Sequence, residues 1–195
     1  MVSNTKEVAL EQAIQRRLTG LTTEELAGQP APADHGPFRV GLPTDFDAEY
    51  ALDTRLFWEF LESTQGKELA KLKARNPGDW QRKILERFDR LIRKNGVLHL
   101  LKKGLAVDDA FFALMYPAPL ASSAAKVHEN FAANIFSVTR QVRYSLTNPG
   151  EEIDMVLFIN GLPLITIELK NAWTGQTARY HGQKQYRDGR DATQP

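Results

Sequence analysis

Two apolar runs joined by Asn160-Gly161 stand out in the segment Glu152-Ile-Asp-Met-Val-Leu-Phe-Ile-Asn-Gly-Leu-Pro-Leu-Ile-Thr-Ile-Glu-Leu-Lys170. Asn-Gly between apolar runs is a strong signal for a β-hairpin, because both residues accept the positive φ angles of the tight turn. The segment therefore predicts two antiparallel strands. The remaining elements are arranged around this hairpin.

The length of the hairpin loop decides which side chains of the two strands meet. If Asn160-Gly161 is the whole loop, Asp154 lies across from Ile167, and Glu168 points to the other face because side chains alternate along a strand. If the loop has an odd number of residues, Asp154 lies directly across from Glu168, with their Cβ atoms about 5 Å apart. Lys170 then shares their face. The side chains that point to the core in that register are Ile165, Ile167 and Leu169.

Two carboxylates and a lysine on neighbouring strands predict a site for one divalent cation beside an ammonium group. Asp154 and Glu168 facing each other are destabilising unless something offsets their charge, and oxygen ligands suit Mg²⁺ or Mn²⁺. Such an ion lowers the pKa of a bound water and neutralises charge on a phosphate oxygen. Lys170 would orient or deprotonate that water, or stabilise the transition state. From spacing alone, the alternative is a surface ladder of Asp, Glu and Lys salt bridges.

The rest of the chain is mainly helical at first and rich in strands later. Apolar residues at a 3.6-residue period predict helices at 7–18, 50–61, 67–73 and 80–94, and a shorter one at 124–134. Residues 27–43 predict a loop, while 97–101 and 111–115 predict strands. From 136 to 146 the period changes to two, which predicts a strand that precedes the hairpin, and 172–188 predict a last helix. The expected fold is mixed α/β (α+β): a mixed sheet flanked by helices, with a helical N-terminal portion.

Composition and charge limit the class of protein. The chain has 195 residues, 42% hydrophobic and 25% charged, which suits one domain with its own core. It has no cysteine, which excludes thiolate metal sites and disulfides. No apolar run approaches the roughly 20 residues of a membrane span, and the N-terminus lacks the pattern of a signal peptide, so we expect a cytoplasmic protein. Net charge is only +1, but the segment 170–190 is locally basic, which suits a polyanionic substrate.

The chain resembles the N-terminal nuclease domain of the R (restriction) subunit of type I restriction-modification enzymes, within the PD-(D/E)xK nuclease superfamily and its restriction-endonuclease-like core. The resemblance spans about residues 45–191 and is sharpest after Asn134. The segments that carry it most clearly are Asn134-Ile-Phe-Ser-Val-Thr-Arg-Gln141, Asp154-Met-Val-Leu-Phe-Ile-Asn-Gly-Leu-Pro163, Ile167-Glu-Leu-Lys-Asn171 and Thr174-Gly-Gln-Thr177.

The resemblance implies magnesium-dependent cleavage of the phosphodiester backbone of duplex DNA, with manganese as an alternative ion. Asp154, Glu168 and the main-chain carbonyl of Leu169 would hold the metal, and Lys170 would be the catalytic lysine.

In this superfamily a glutamate of the first helix often completes the metal shell. The candidate here is Glu11, with Glu7 one turn earlier as the alternative. Both side chains can instead belong to a solvated helix face.

The family also has a glutamine four residues before a tyrosine on the helix after the lysine, which helps to position DNA. Gln176 and Tyr180 have this spacing but come early in the chain. Tyr186 lies where the tyrosine is expected, but Gln183 is one residue away from the right spacing. Either pair is a candidate for DNA contact, and an ordinary helix surface is the alternative.

The resemblance also predicts the organisation and partners of the protein. We expect one nuclease domain over residues 1–195, with a helical part at about 1–133 and a catalytic sheet and helix at about 134–191. This domain would be a fragment of a larger subunit whose motor uses ATP, since the chain has no G-x-x-x-x-G-K-[ST] loop. Its expected partners are double-stranded DNA and the modification methylase and specificity subunits, with no membrane. The rival interpretations are a stand-alone DNA repair nuclease and a non-catalytic DNA-binding or assembly module.

Overall fold

The computed structural model of the chain describes residues 2–27, 37–148 and 150–169, with side chains from residue 7 onward. Its α-helices are α1 (Val2–Thr19), α2 (Thr23–Leu26), α3 (Thr54–Thr64), α4 (Gly66–Arg75), α5 (Trp80–Asn95), α6 (Val97–Lys103) and α7 (Ala125–Ala132). Its strands are β1 (Arg39–Val40), β2 (Phe46–Asp47), β3 (Leu52–Asp53), β4 (Leu105–Val107), β5 (Ala110–Phe112), β6 (Phe136–Arg143), β7 (Glu152–Ile159) and β8 (Leu162–Ile167). Among these helices, none has the length and apolar character to cross a membrane.

The main sheet has four strands in the order β1-β6-β7-β8. The last three form an antiparallel meander, and β1 runs parallel to β6. The predicted mixed α/β fold is therefore confirmed. The prediction of an unbroken loop over residues 27–43 is wrong, because β1 lies within it. Gly41 follows β1 and lets the backbone approach β6 closely, since a Cβ there would lie 2.1 Å from Thr139 Oγ1.

The main core lies between helices α3 to α6 and one end of the meander. Four apolar side chains of the segment predicted as the helix at 50–61 are fully buried, namely Leu52, which lies in β3, and Leu56, Phe57 and Phe60 of α3. They pack with Ile84 and Phe88 of α5 and with Ile159 and Leu162, which flank the hairpin turn. The turn of the hairpin is thus held against the helical part of the molecule.

Residues 97–101 are helical, so the predicted strand there is wrong. Gly96 ends α5 with a φ of 79°, and α6 begins at the next residue. A short apolar run does not by itself distinguish a buried strand from a helix, and leucine and lysine are good helix formers. The predicted strand at 111–115 is correct only at its start, where β5 pairs with β4.

Helix α1 buries a polar stripe instead of the apolar stripe that its sequence predicts. The predicted stripe consists of Leu10, Ile14 and Leu18. The buried side chains are Glu11, Gln15 and Thr19. Leu10 is 43% exposed, whereas the Gln15 amide exchanges hydrogen bonds with Thr23 at the start of α2. The reason is that polar groups of β6 and α2 face this helix, so hydrogen bonding decides its orientation more than apolar area does.

The hairpin turn has two residues, as one of the two sequence alternatives proposed. Asn160 and Gly161 have φ angles of 52° and 82°, and positive φ at both central positions is the requirement of a type I′ turn. The Asn160 side chain is fully buried. Its Oδ1 accepts a hydrogen bond from Ile135 N at 2.7 Å, and its Nδ2 donates to Leu114 O and Asn134 Oδ1 at 2.9 and 3.0 Å. The turn is therefore fixed from both sides.

Replacement of Gly161 by alanine should destabilise the chain by more than about 3 kcal/mol, because strain and a clash add together. An added Cβ would lie 2.4 Å from Asp53 O and 2.7 Å from Phe57 N. Gly78→Ala is the matched control, because Gly78 has a φ of +85° and nothing within 4 Å of its added Cβ. Urea denaturation should show a loss of only about 1 kcal/mol for this control. Equal losses for the two variants would contradict the close packing of the turn on α3.

Asp53 should make stability depend on pH. Its Oδ1 accepts a hydrogen bond from Leu56 N at the start of α3, while its buried Oδ2 has no partner among the described residues. Burial raises the pKa of Asp53 from 3.8 to about 6. The folded chain thus binds a proton more tightly than the unfolded chain, and stability is lost as the pH rises from about 4 to 6.

The Asp53→Asn variant cannot ionise, so its stability relative to the wild type should increase by about 2.4 kcal/mol between pH 4 and pH 8. Chemical denaturation at a series of pH values measures this difference. Asp109→Asn, at an exposed aspartate, should show no comparable trend. A flat difference for Asp53→Asn would contradict the raised pKa.

Candidate active site

The register of the β7–β8 hairpin changes part-way along its length. The Cα partners are Ile159 with Leu162, Phe158 with Pro163, Leu157 with Ile165, Val156 with Thr166, and Met155 with Ile167. Leu164 is skipped, so it is the extra residue of a β-bulge. Pro163, immediately before it, has no N–H to donate to a neighbouring strand, and proline within sheets is found at edges and bulges for this reason.

The bulge shifts the register by one residue, as a hairpin loop with an odd number of residues would have done. One step beyond the pair of Met155 and Ile167, the register brings Asp154 to the level of Glu168. The next residue, Leu169, donates its backbone N–H to Asp154 Oδ2 at 2.5 Å. The structure thus combines the two-residue turn of one sequence alternative with the pairing of Asp154 and Glu168 that the other alternative described. Ile165, expected in the core, is 50% exposed.

Glu11 approaches the same region from α1. Its side chain is 4% exposed, which contradicts the alternative of a solvated helix face for this residue. Its Oε2 accepts hydrogen bonds from Arg140 Nε at 3.1 Å and from Gln141 Nε2 at 3.4 Å. Glu7, the alternative candidate, is half-buried.

The electrostatics of Glu11 connect it to the hairpin. Burial raises the pKa of Glu11, and the negative charges of Asp154 and Glu152 raise it further, while the hydrogen bond and charge of Arg140 oppose the increase. The carboxylates of α1 and β7 therefore repel each other. A cation between them would relieve that repulsion.

Arg140 of β6 is a buried cation that binds two glutamates, one on α1 and one on α2. It is 3% exposed, and its guanidinium binds Glu11 through Nε and both carboxylate oxygens of Glu24 through Nη1, at 2.9 and 3.0 Å. Burial raises the pKa of Glu24, but hydrogen bonds from its own backbone N–H, from Arg140 and from Gln12 outweigh it and lower the pKa to about 2. Arg140 thus joins α1, α2 and β6.

Arg140 and Gln141 contact Glu11 although no sequence pattern predicted them as site residues. The signal was present, because a charged residue in the middle of the alternating strand Phe136-Ser-Val-Thr-Arg-Gln-Val-Arg143 needs a partner if it is buried. The sequence did not show which face of β6 would be covered by α1, and that decides whether the partner is water or a glutamate.

Several predicted site residues lie outside the described residues. These are Lys170, Gln176, Tyr180, Gln183 and Tyr186. Their roles, and the predicted helix at 172–188, therefore stay predictions. Within residues 2–27, 37–148 and 150–169, no group of three or more His, Asp or Glu side chains could hold a metal ion.

A family model for the type I restriction enzyme R protein N terminus (HSDR_N) matches residues 49–194. The chain belongs to this family. The match includes the whole β6–β8 meander with Asp154, Glu168 and Lys170, whereas the two glutamates that Arg140 binds, Glu11 and Glu24, precede it. Searches of the curated proteins and of the solved structures found no match. The family assignment agrees with the resemblance seen in the sequence.

Removal of the Arg140 charge should destabilise this R-protein N-terminal region by about 3 kcal/mol, because it leaves Glu11 buried and uncompensated. Arg140→Met keeps the length of the side chain, and urea denaturation measures the change. Arg143→Met is the matched control on the same strand, since Arg143 and its partner Glu152 are 71% and 44% exposed. The control should change stability by less than about 0.5 kcal/mol.

The double variant Arg140→Met/Glu11→Gln should recover most of the lost stability. Its second substitution removes the charge that the first one leaves without a partner. No recovery would contradict the coupling of the two groups.

Proposed function

We propose that the chain is the metal-dependent DNA endonuclease domain of a type I restriction-modification system, which hydrolyses phosphodiester bonds. The observation that carries the proposal is the bulged register of β7 and β8. It brings Asp154 to the level of Glu168 and ties it to Leu169 within the region that matches the R-protein family. A carboxylate held by the backbone of the adjacent strand is a rigid base for a catalytic site.

The donor set fits a hard divalent cation. Asp154, Glu168 and the main-chain carbonyl of Leu169 would hold Mg²⁺ or Mn²⁺, since carboxylate and carbonyl oxygens suit these ions. Glu11 is the proposed additional ligand from α1. Burial is the main cause of its raised pKa, and the negative charge of Asp154 contributes to the increase. A bound ion would supply an acidified water and neutralise charge on a phosphate oxygen.

The protein groups around the proposed ion have separate tasks. The Leu169 N–H holds the Asp154 carboxylate through Oδ2, which fixes its rotation. Lys170 directly follows Leu169, and we assign to it the orientation or deprotonation of the attacking water, or stabilisation of the charge that develops on the phosphate. Gln176 with Tyr180, or Gln183 with Tyr186, would position the DNA.

The proposed partners follow from the proposed activity. Double-stranded DNA is the substrate, and the modification methylase and specificity subunits would supply sequence recognition in the cytoplasm. ATP would be needed only by a motor domain, since the chain has no phosphate-binding loop of the G-x-x-x-x-G-K-[ST] type.

A non-catalytic DNA-binding or assembly role is the second candidate. It is favoured by the buried pairing of Glu11 with Arg140, which neutralises one carboxylate without a metal. It is also favoured by the finding that no metal-binding group of three or more such side chains occurs among the described residues. In that case Asp154 would serve to hold β8 through Leu169. A stand-alone repair nuclease is disfavoured by the match to the R-protein family.

Asp154→Asn should lower Mg²⁺-dependent nicking and cleavage of a supercoiled plasmid by at least about 100-fold. Asparagine keeps an oxygen that accepts the Leu169 N–H, so circular dichroism should show an intact fold. Lys170→Ala should have a similar effect on cleavage. Asp89→Asn, which removes the same charge from the exposed face of α5, is the control and should retain wild-type activity.

Three outcomes separate the two candidate functions. Cleavage by the wild type and by Asp89→Asn but not by Asp154→Asn supports the nuclease. DNA binding without cleavage by any variant, in Mg²⁺ or Mn²⁺, supports the non-catalytic module. Equal cleavage by Asp154→Asn and the wild type rejects the assigned site.

A further inference from the structure

Gln141 has an unusual backbone conformation for a residue within a strand. Four non-glycine residues of the described chain have positive φ, namely Ala51, Asp108, Gln141 and Asn160. The other three lie in turns, but Gln141, with a φ of 54°, lies within strand β6. The left-handed conformation costs a residue other than glycine about 1 kcal/mol or more, and such outliers persist only where the surroundings impose them.

The position of Gln141 in the sheet is level with Asp154. Arg140 pairs with Met155, and Val142 pairs with Ile153, so the residue between them on β6 faces the residue between them on β7. Asp154 in turn lies level with Glu168 on β8. Gln141 therefore belongs to the same row across three strands as the two proposed metal ligands.

The left-handed backbone conformation changes the direction of the Gln141 side chain. Adjacent residues of a regular strand point to opposite faces. Arg140 and Gln141 nevertheless both donate to the same atom, Glu11 Oε2. The positive φ at Gln141 redirects its side chain toward α1, as irregularities in strands next to sites often do.

We propose that Gln141 is a positioning residue, held in a strained backbone conformation so that its amide fixes the Glu11 carboxylate of α1 against β6. The inference rests on the proposed function, in which Glu11 is a metal ligand. Arg140 supplies charge to Glu11, whereas Gln141 supplies a neutral hydrogen bond. A neutral donor holds the carboxylate in place without adding to the positive charge that Arg140 already supplies.

A pair of variants of the 195-residue chain separates the strain from the amide. Gln141→Ala and Gln141→Gly both remove the amide, but only glycine relieves the positive φ. In a regular strand glycine is the less stable of the two. At Gln141 the order should be reversed, with the unfolding equilibrium constant of the glycine variant smaller by about fivefold in urea denaturation.

Metal binding supplies the second measurement. Calorimetry with Mn²⁺ alone should show an affinity about tenfold weaker for both Gln141 variants than for the wild type. Ala51→Gly is the matched control, because Ala51 has a φ of 53° in the turn between β2 and β3. It should gain stability for the same reason as Gln141→Gly and bind Mn²⁺ as the wild type does. Equal affinity of the wild type and Gln141→Gly would overturn the proposal.

A double-mutant cycle between Gln141→Ala and Glu11→Gln tests the contact without any metal. The two substitutions should be coupled by about threefold in the unfolding constant. Additive effects would overturn the proposal. If the wild type bound no Mn²⁺, the proposed metal site would fail, and the cycle would still decide by itself whether Gln141 holds Glu11.

Discussion

The buried side chain of Asn160 sets the geometry on which the site depends. Its amide joins the hairpin turn to Ile135, immediately before β6, and to the segment after β5. These hydrogen bonds fix where β8 begins relative to β7. Because side chains alternate along a strand, a displacement of β8 by one residue would turn every one of its side chains to the other face. The proposed catalytic row therefore depends on a hydrogen-bonded asparagine at the far end of the hairpin.

The bulge then shifts the register of β8, because the two-residue turn alone would not bring Asp154 and Glu168 to the same level. A regular continuation of the two-residue turn would put Asp154 across from Ile167. Pro163 cannot donate to a ladder, and skipping Leu164 moves the register by one residue. Asp154 thus reaches the level of Glu168 and accepts the Leu169 N–H. A local irregularity of the strand has a direct chemical consequence, because it decides which two carboxylates are neighbours.

Electrostatic interactions join the helical part to this row. Arg140 binds glutamates of α1 and α2, and burial together with nearby carboxylates raises the pKa of Glu11. Such a buried ion pair contributes little net stability, since desolvation opposes the attraction between the charges. The ion pair instead fixes the orientation of α1, because it turns the polar face of this helix toward β6. Gln141, in its left-handed conformation, adds a second contact to the same carboxylate.

The sequence by itself determined the elements whose signals are local. Asn160-Gly161 specified the tight turn, alternation specified β6, and apolar periodicity specified α3 and α5 with their buried side chains, because each of these signals acts between residues close in the chain. The spacing of Asp154, Glu168 and Lys170 on neighbouring strands made them candidate site residues, and the family resemblance supported that prediction.

Tertiary structure decided the rest. The polar face of α1, the helical state of 97–103, the burial of Arg140 and the bulge at Leu164 all depend on partners that are distant in sequence. Glu11 and Arg140 are separated by 129 residues, and no periodicity within α1 indicates that a guanidinium will cover it. Burial of a polar side chain is favourable only when its partner is already in place, so the final fold is needed to know which polar residues are buried.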